Sequence, residues 1–216
     1  MPKQDKNLEY EIRIYDINER KIKKILKENG AELVQKKTIM PLIVYTHPKG
    51  KKDSYIRIRD EGHEITMTAK TNLKSKYVIE REVVINNIEE GDAIFKMLGC
   101  KVKYKIEKIR EIWKLKGCKE IVFDSYGGIP TYMEIDCHSE NSLKKMAKLL
   151  GYTIDDHDSR NLADIYYDLY GIPVKSKWGN ETTIKNAKKI FAPLITKNKK
   201  KFMDILKKQM KLVNKK

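Results

Sequence analysis

Charged side chains, or in one case a comparable polar run, recur two residues apart in six segments of this chain. In residues 9–14, "EYEIRI", Glu9, Glu11 and Arg13 alternate with Tyr10, Ile12 and Ile14. Arg57 and Arg59 do the same with Ile56 and Ile58. Thr66, Thr68 and Lys70 stand opposite Ile65, Met67 and Ala69. Glu80 pairs with Glu82, Lys108 with Arg110, and Glu134 with Asp136, while Asp124 ends the apolar run "IVF". A period of two places such residues on one face of a β-strand. Seven carboxylates and six cations nearly balance, yet carboxylates side by side repel unless a cation lies between them. All-oxygen donors suit hard Mg²⁺ or Mn²⁺ rather than zinc. Guanidinium and ammonium groups beside them suit a phosphate chain. Two divalent ions and one triphosphate would leave the set near neutral, so the residues read as a polyphosphate site.

The elements that carry these faces decide whether they meet. If the apolar faces point into a barrel, the charges are solvated outside. If helices cover the barrel, the apolar faces pack on the helices and the charges line the interior. Such a lining is tolerated only when paired and partly hydrated. Amphipathic helices are predicted in "DINERKIKKILKENG", "NIEEGDAIFKMLG", "SENSLKKMAKLLG" (with Ser139 as N-cap) and "DSRNLADIYYDLYG". They alternate irregularly with about eight short strands, which favours the second geometry. The expected fold is α+β, a closed eight-stranded antiparallel barrel with helices packed outside.

The chain has 216 residues, 40% of them apolar and 35% charged, with a formal net charge of +16. The excess is uneven. From residue 172 onward there are 14 Lys against Glu181 and Asp204, which leaves about +4 for residues 1–171. The division expected is therefore a main domain, 1–171, and a lysine-rich helical extension, 172–216. In the extension Phe202, Ile205, Leu206 and Val213 share a side opposite the lysines. Those lysines read as a solvated face, with a weak contact to RNA or an acidic partner as the alternative. Cys100, Cys118 and Cys137 form no CxxC pair and are odd in number, so no disulfide framework and a reducing compartment are expected. "MPKQDKN" has no apolar core and no run is long enough to span a membrane, so a cytoplasmic protein is expected.

In this order the motifs resemble the CYTH superfamily, the triphosphate tunnel metalloenzymes. Its strands ExExK, RxR, TxK, ExE, KxR, Asp and ExE correspond to "EYEIR", "RIR", "TAK", "ERE", "KIR", "FD" and "EID" over about residues 7–171. The resemblance implies a tunnel open at both ends. Metal would be held by Glu9, Glu11, Glu134 and Asp136, supported by Asp124, Glu80 and Glu82. Phosphates would be held by Arg57, Arg59, Lys70, Lys108 and Arg110, with Arg13 at the end of the first strand. It places Glu9, Glu11, Lys70 and Arg110 at the catalytic centre. Arg13 stands where the family has Lys, and a guanidinium cannot accept a proton. Asp136 replaces a usual Glu. Arg160 is a candidate to fold over the tunnel mouth, beside a surface or capping reading.

The resemblance implies one of two reactions. A triphosphatase directs water at the terminal phosphorus, and a class IV adenylyl cyclase directs the ribose 3′-hydroxyl at the α-phosphorus. No adenine-binding signature stands out, and hydrolysis asks less of the sequence. The expected activity is therefore metal-dependent hydrolysis of inorganic triphosphate, ATP or a similar compound, with cyclase and a non-catalytic binding module as alternatives. His47, His63, His138 and His157 show no ligand spacing. Tyr126, Tyr166, Tyr167 and Tyr170 read as packing residues.

Overall fold

The computed structural model describes residues 8–49, 54–71, 78–173 and 181–213. Eight strands form one curled antiparallel sheet in the order β1 (Tyr10–Ile14), β8 (Tyr132–Cys137), β7 (Cys118–Tyr126), β6 (Lys101–Lys114), β2 (Glu32–Thr46), β3 (Ser54–Asp60), β4 (Ile65–Thr71) and β5 (Ile79–Ile85). Each predicted strand is present. β2 and β6 run to 15 and 14 residues, longer than the short strands expected.

The helices sort the two faces of the sheet. α1 (Glu19–Glu28) starts at Asn18, whose side chain accepts from the Lys21 amide, and turns Ile22 and Leu26 onto the sheet. α3 (Glu140–Leu149) is capped by Ser139, as its sequence predicted. Ile22, Leu26, Leu143, Met146 and Ala147 bury against Tyr10, Ile12, Ile14, Met133 and Ile135. α2 (Ile88–Met97) packs Phe95 on Ile56 and Ile58. The main apolar faces of β1, β3, β7 and β8 are thus convex and helix-covered, and their charged faces are concave.

Full closure is not what the described residues show. β1 and β5, the two ends of the sheet, meet at a single antiparallel bridge, Leu8 with Ile79, and one hydrogen bond from Glu9 N–H to the Val78 carbonyl at 3.0 Å. Further along β1, Arg13 offers its backbone to another segment. Its amide donates to His157 Nδ1 at 3.0 Å, and its carbonyl accepts from Asp158 N–H at 2.8 Å. The edge of β1 is shared between β5 and the segment before α4 (Leu162–Tyr170).

Residues past 172 add more than helix. β9 (Glu181–Thr182) pairs in parallel with β6, and α5 (Ala187–Phe191) and α6 (Lys199–Val213) follow. Phe191, Phe202 and Leu206 enter the same buried cluster as Ile109, Tyr132, Ile165 and Tyr166. Phe202 and Leu206 lie on the face predicted for them, and Gln209 joins them. Its Oε1 accepts from Gly128 N–H at 2.8 Å and its Nε2 donates to the Tyr126 carbonyl at 2.9 Å. Gly128 has φ 80°, and any Cβ there would collide with the Phe202 ring, so α6 seats against the β7–β8 turn only because that position is glycine.

One expectation is corrected. Cys118 and Cys137 are joined in a disulfide between facing positions of β7 and β8, while Cys100 is free and buried. The two cysteines are 19 residues apart in sequence, so only strand pairing brings them together. No helix among the described residues is long and apolar enough to cross a membrane.

Candidate active site

The concave face gathers the charged residues that the period-two reading selected. At its centre Asp124, fully buried, accepts from Lys108 Nζ at 2.8 Å and from Arg110 through Nε at 2.8 Å and Nη2 at 2.7 Å. Arg110 also reaches Glu134 Oε2 at 3.1 Å, and Arg13 Nε donates to Glu134 Oε1 at 2.7 Å. These contacts bind β6, β7, β8 and β1 into one network. Met40, Ile112 and Val122 form an apolar floor on the same face. Low polarity there strengthens the pairings and makes any unpaired charge costly.

A second group lies toward β3, β4 and β5. Lys70 Nζ sits 2.6 Å from Glu9 and 3.3 Å from Glu80. Since β1 and β4 stand near opposite ends of the sheet order, the Lys70–Glu9 contact shows the curvature directly. Arg57 lies 3.8 Å from Glu80 and 3.5 Å from Glu82, and its Nε donates to Thr68 Oγ1 at 3.2 Å. Arg59 is buried against Glu61. Glu11 and Asp136 face each other across β1 and β8. Lys119 approaches Asp136 Oδ2 at 3.2 Å, whereas Asp136 Oδ1 is buried without a hydrogen-bond partner among the described residues.

Electrostatics divides the carboxyls into two classes. Asp124 is held well below its ordinary range by Arg110 and Lys108 against the opposing effect of burial. Glu134 is lowered by Arg13 despite burial. Burial raises Glu11 to about 7, aided by Glu134, and raises Asp136 to about 6. Glu9 is pushed up by burial and by a hydrogen bond with Glu80, which is itself lowered. Lys108 is lowered to about 7 by burial and by Arg110.

Of the residues selected from sequence, Arg160 alone stays off this wall. It is tied to Asp158 and, at 2.6 Å, to Asp168, with its guanidinium 5.8 Å from the Tyr15 ring. Glu61 and Glu120 were missed, although Glu120 lies 3.2 Å from Arg110. Both carry a faint signal: each continues a same-face row by two residues, Glu61 beyond Arg59 and Glu120 before Val122 and Asp124. Tyr166 and Tyr170 do pack in the core, but Tyr167 is 53% exposed. Tyr126 sits on the concave face next to Asp124.

The ion question can be put to these residues directly. Among the described residues no three Asp, Glu, His or Cys groups are gathered as a ready-made metal cage. The carboxylates are instead drawn to cations of the wall. The orphaned Asp136 oxygen pairs across strands with Glu11, and oxygen donors of this kind fit a hard divalent ion rather than a soft one.

Comparison with known proteins gives the family. The sequence matches the CYTH domain over residues 7–150. The chain belongs to the CYTH family. A Methanocaldococcus jannaschii protein whose name proposes adenylate cyclase activity is 31% identical over 134 residues, 60% of this chain and 76% of its own length. Two solved structures share the CYTH architecture. One, from Pyrococcus horikoshii, aligns with TM-score 0.57 at 26% identity, covering 74% of this chain and 98% of its own. The other, from Vibrio parahaemolyticus and also named for a proposed adenylate cyclase, aligns with TM-score 0.63 at 14% identity over 74% and 97%. The CYTH match ends before α4, so β9, α5 and α6 lie outside it.

Proposed function

We propose that this CYTH protein is a divalent-metal-dependent phosphohydrolase that takes a triphosphate-bearing substrate on its concave charged face. The observation that carries the reading is the pairing of an orphaned, buried Asp136 oxygen and proton-retaining Glu11 with a facing bank of cations, Arg57, Lys70, Lys108 and Arg110. Glu9, Glu11, Glu134 and Asp136 would hold Mg²⁺ or Mn²⁺, with Glu80, Glu82 and Asp124 holding the cations of the wall in place. A bound ion supplies Lewis-acid stabilisation of charge on the phosphoryl oxygens.

The chain's own residues do the rest. Arg57, Arg59 and Arg110 present planar donors to phosphate oxygens, and Lys70 and Lys108 add compact charge. A substrate phosphate would take over the donors that now point at Glu80, Glu134 and Asp124. Arg13 orients Glu134 and stays charged throughout. In hydrolysis a water oxygen bonds to the terminal phosphorus, the bridging P–O bond breaks with its electron pair on the leaving phosphate chain, and the water's proton passes to that chain or to solvent. Adenylyl cyclisation is the second reading, favoured by the names of the relatives from Methanocaldococcus jannaschii and Vibrio parahaemolyticus.

One incubation separates them. ATP, inorganic triphosphate and thiamine triphosphate are each supplied with Mg²⁺ and with Mn²⁺. Free phosphate supports the hydrolase, and cyclic AMP with pyrophosphate supports the cyclase. No product from any pair overturns both.

A further inference from the structure

Helix lysines in this protein fall into two groups by what faces them. On α1, Lys23 lies 2.6 Å from Glu19 and Lys24 lies 3.7 Å from Glu28. On α2, Lys96 lies 2.5 Å from Asp92, and on α3, Lys144 lies 2.9 Å from Glu140. Each pairing joins residues four apart, the spacing that neutralises a solvated helix face. α5 and α6 lack this device. Every lysine from Lys185 to Lys211 is exposed, and among the described residues none of them makes an ion pair. Lys207 and Lys211 stand four apart with like charge, which weakens a helix.

Packing decides which side of α6 those lysines occupy. Phe202, Leu206 and Gln209 are buried, so the helix is seated by one side. At 3.6 residues per turn, Lys200, Lys201, Lys207, Lys208 and Lys211 fall within an arc of about 120° on the opposite side, running about 16 Å along the axis. Asp204 is the one carboxylate in that arc, and it pairs with none of them. Lys200, Lys201 and Lys208 also line a recess with Pro130 and Thr131, just before β8. None of the exposed large apolar side chains among the described residues lies on α5 or α6. The CYTH match ends at residue 150, so the stripe belongs to the extension and not to the matched domain.

Such a stripe narrows the choice of partner. A membrane needs an apolar face to insert, and that of α6 is already buried in the core. Protein interfaces are built around aromatic, Met and Arg anchors and are poor in Lys. Single-stranded nucleic acid is held on exposed aromatic platforms, which α5 and α6 do not present. A duplex asks only for cations at its fixed rows of phosphates. We propose that the lysine stripe of α6 binds the phosphate backbone of duplex DNA without sequence preference. Over 16 Å of duplex axis the helix meets about nine phosphate charges, and each ammonium that engages one releases a counterion. The arc holds no Arg, Asn or Gln to read a base edge. It shares no residue with the concave wall, so this proposal and the triphosphate reading stand or fall separately.

The test is fluorescence anisotropy of the full chain with a short labelled DNA duplex whose 5′ ends are hydroxyls, so that no terminal phosphate can enter the concave face. Affinity should fall on the order of 100-fold between about 50 and about 200 mM salt, as four phosphate contacts require. Lys200→Gln, Lys207→Gln, Lys208→Gln and Lys211→Gln made together should weaken binding at low salt at least about tenfold and flatten the salt dependence. Thermal melts check that α6 stays seated. Glutamine at Lys24, Lys27, Lys144 and Lys148 removes the same charge from α1 and α3 and should leave binding close to wild type. Equal losses in the two sets overturn the proposal, because net charge and not the stripe then holds the DNA. No binding at low salt, or tighter binding of the single strand or of an RNA duplex, also overturns it.

Discussion

Glu11 and Asp136 face each other on β1 and β8, and in the ion-free protein burial holds both above their ordinary range, at about 7 and about 6. A folded-state pKa above the unfolded one means that the folded chain binds the extra proton. The contribution of Glu11 to stability is therefore fully present below its ordinary 4.5 and is lost as pH rises through about 7. Thermal melts in EDTA should accordingly fall between pH 5 and 8, and saturating Mn²⁺ should recover much of the loss. Mn²⁺ binding at pH 6 should also expel protons, read as an enthalpy that varies with buffer ionisation heat. No proton release would place the ion elsewhere. The central ion pairs make a separate demand. Removing the bidentate partner of buried Asp124 through Arg110→Ala should cost about 3 kcal/mol or more in urea unfolding. At this scale much was legible, because alternation in "EYEIRI", "YIRIR" and "YMEID" assigns a face to every residue. Glu61 and Glu120 were not, because they lie at the ends of their rows, in "RDEGHE" and "KEIVFD", where alternation no longer marks a face.

Elements carry the next level of the account. α6 is attached through Phe202, fully buried, and through Gln209, which satisfies the Gly128 amide and the Tyr126 carbonyl. Phe202→Ala should destabilise the protein by about 3–5 kcal/mol. Gln209→Ala should cost about 1–3 kcal/mol, because it leaves buried backbone groups unpaired. Chemical denaturation measures both, and a helix that merely trailed from the domain would show neither loss. The helices were readable from their caps and apolar stripes: Ser139 opens α3, and Gly171, at φ 67°, closes α4. The length of β2 was not. Lys36, Lys37 and Pro41 interrupt its apolar pattern, and only pairing with β6, through register shifts near Gln35, makes it a strand. β9 has two residues and exists because β6 offers an edge to it.

Across the whole molecule, curvature converts a list of alternating strands into a site. It is what brings Lys70 of β4 to Glu9 and Arg110 of β6 to Glu134. The Cys118–Cys137 disulfide ties β7 to β8 at the end of the wall where Asp136 and Glu120 lie. Closing a loop of 19 residues stabilises a fold by about 3 kcal/mol in the chain-entropy picture. Reduction should lower the melting temperature without abolishing folding, and an unchanged melt would mean that the bond constrains nothing. The account as a whole rests on the concave face being where an ion and phosphates meet. Anomalous scattering from a crystal grown with Mn²⁺ and inorganic triphosphate tests that most directly. The predicted result is a Mn²⁺ peak bonded to carboxylates among Glu9, Glu11, Glu134 and Asp136, with phosphate oxygens on Arg57 and Arg110. Mn²⁺ and triphosphate bound only outside the sheet, with the Arg110–Asp124–Glu134 network undisturbed, would contradict it.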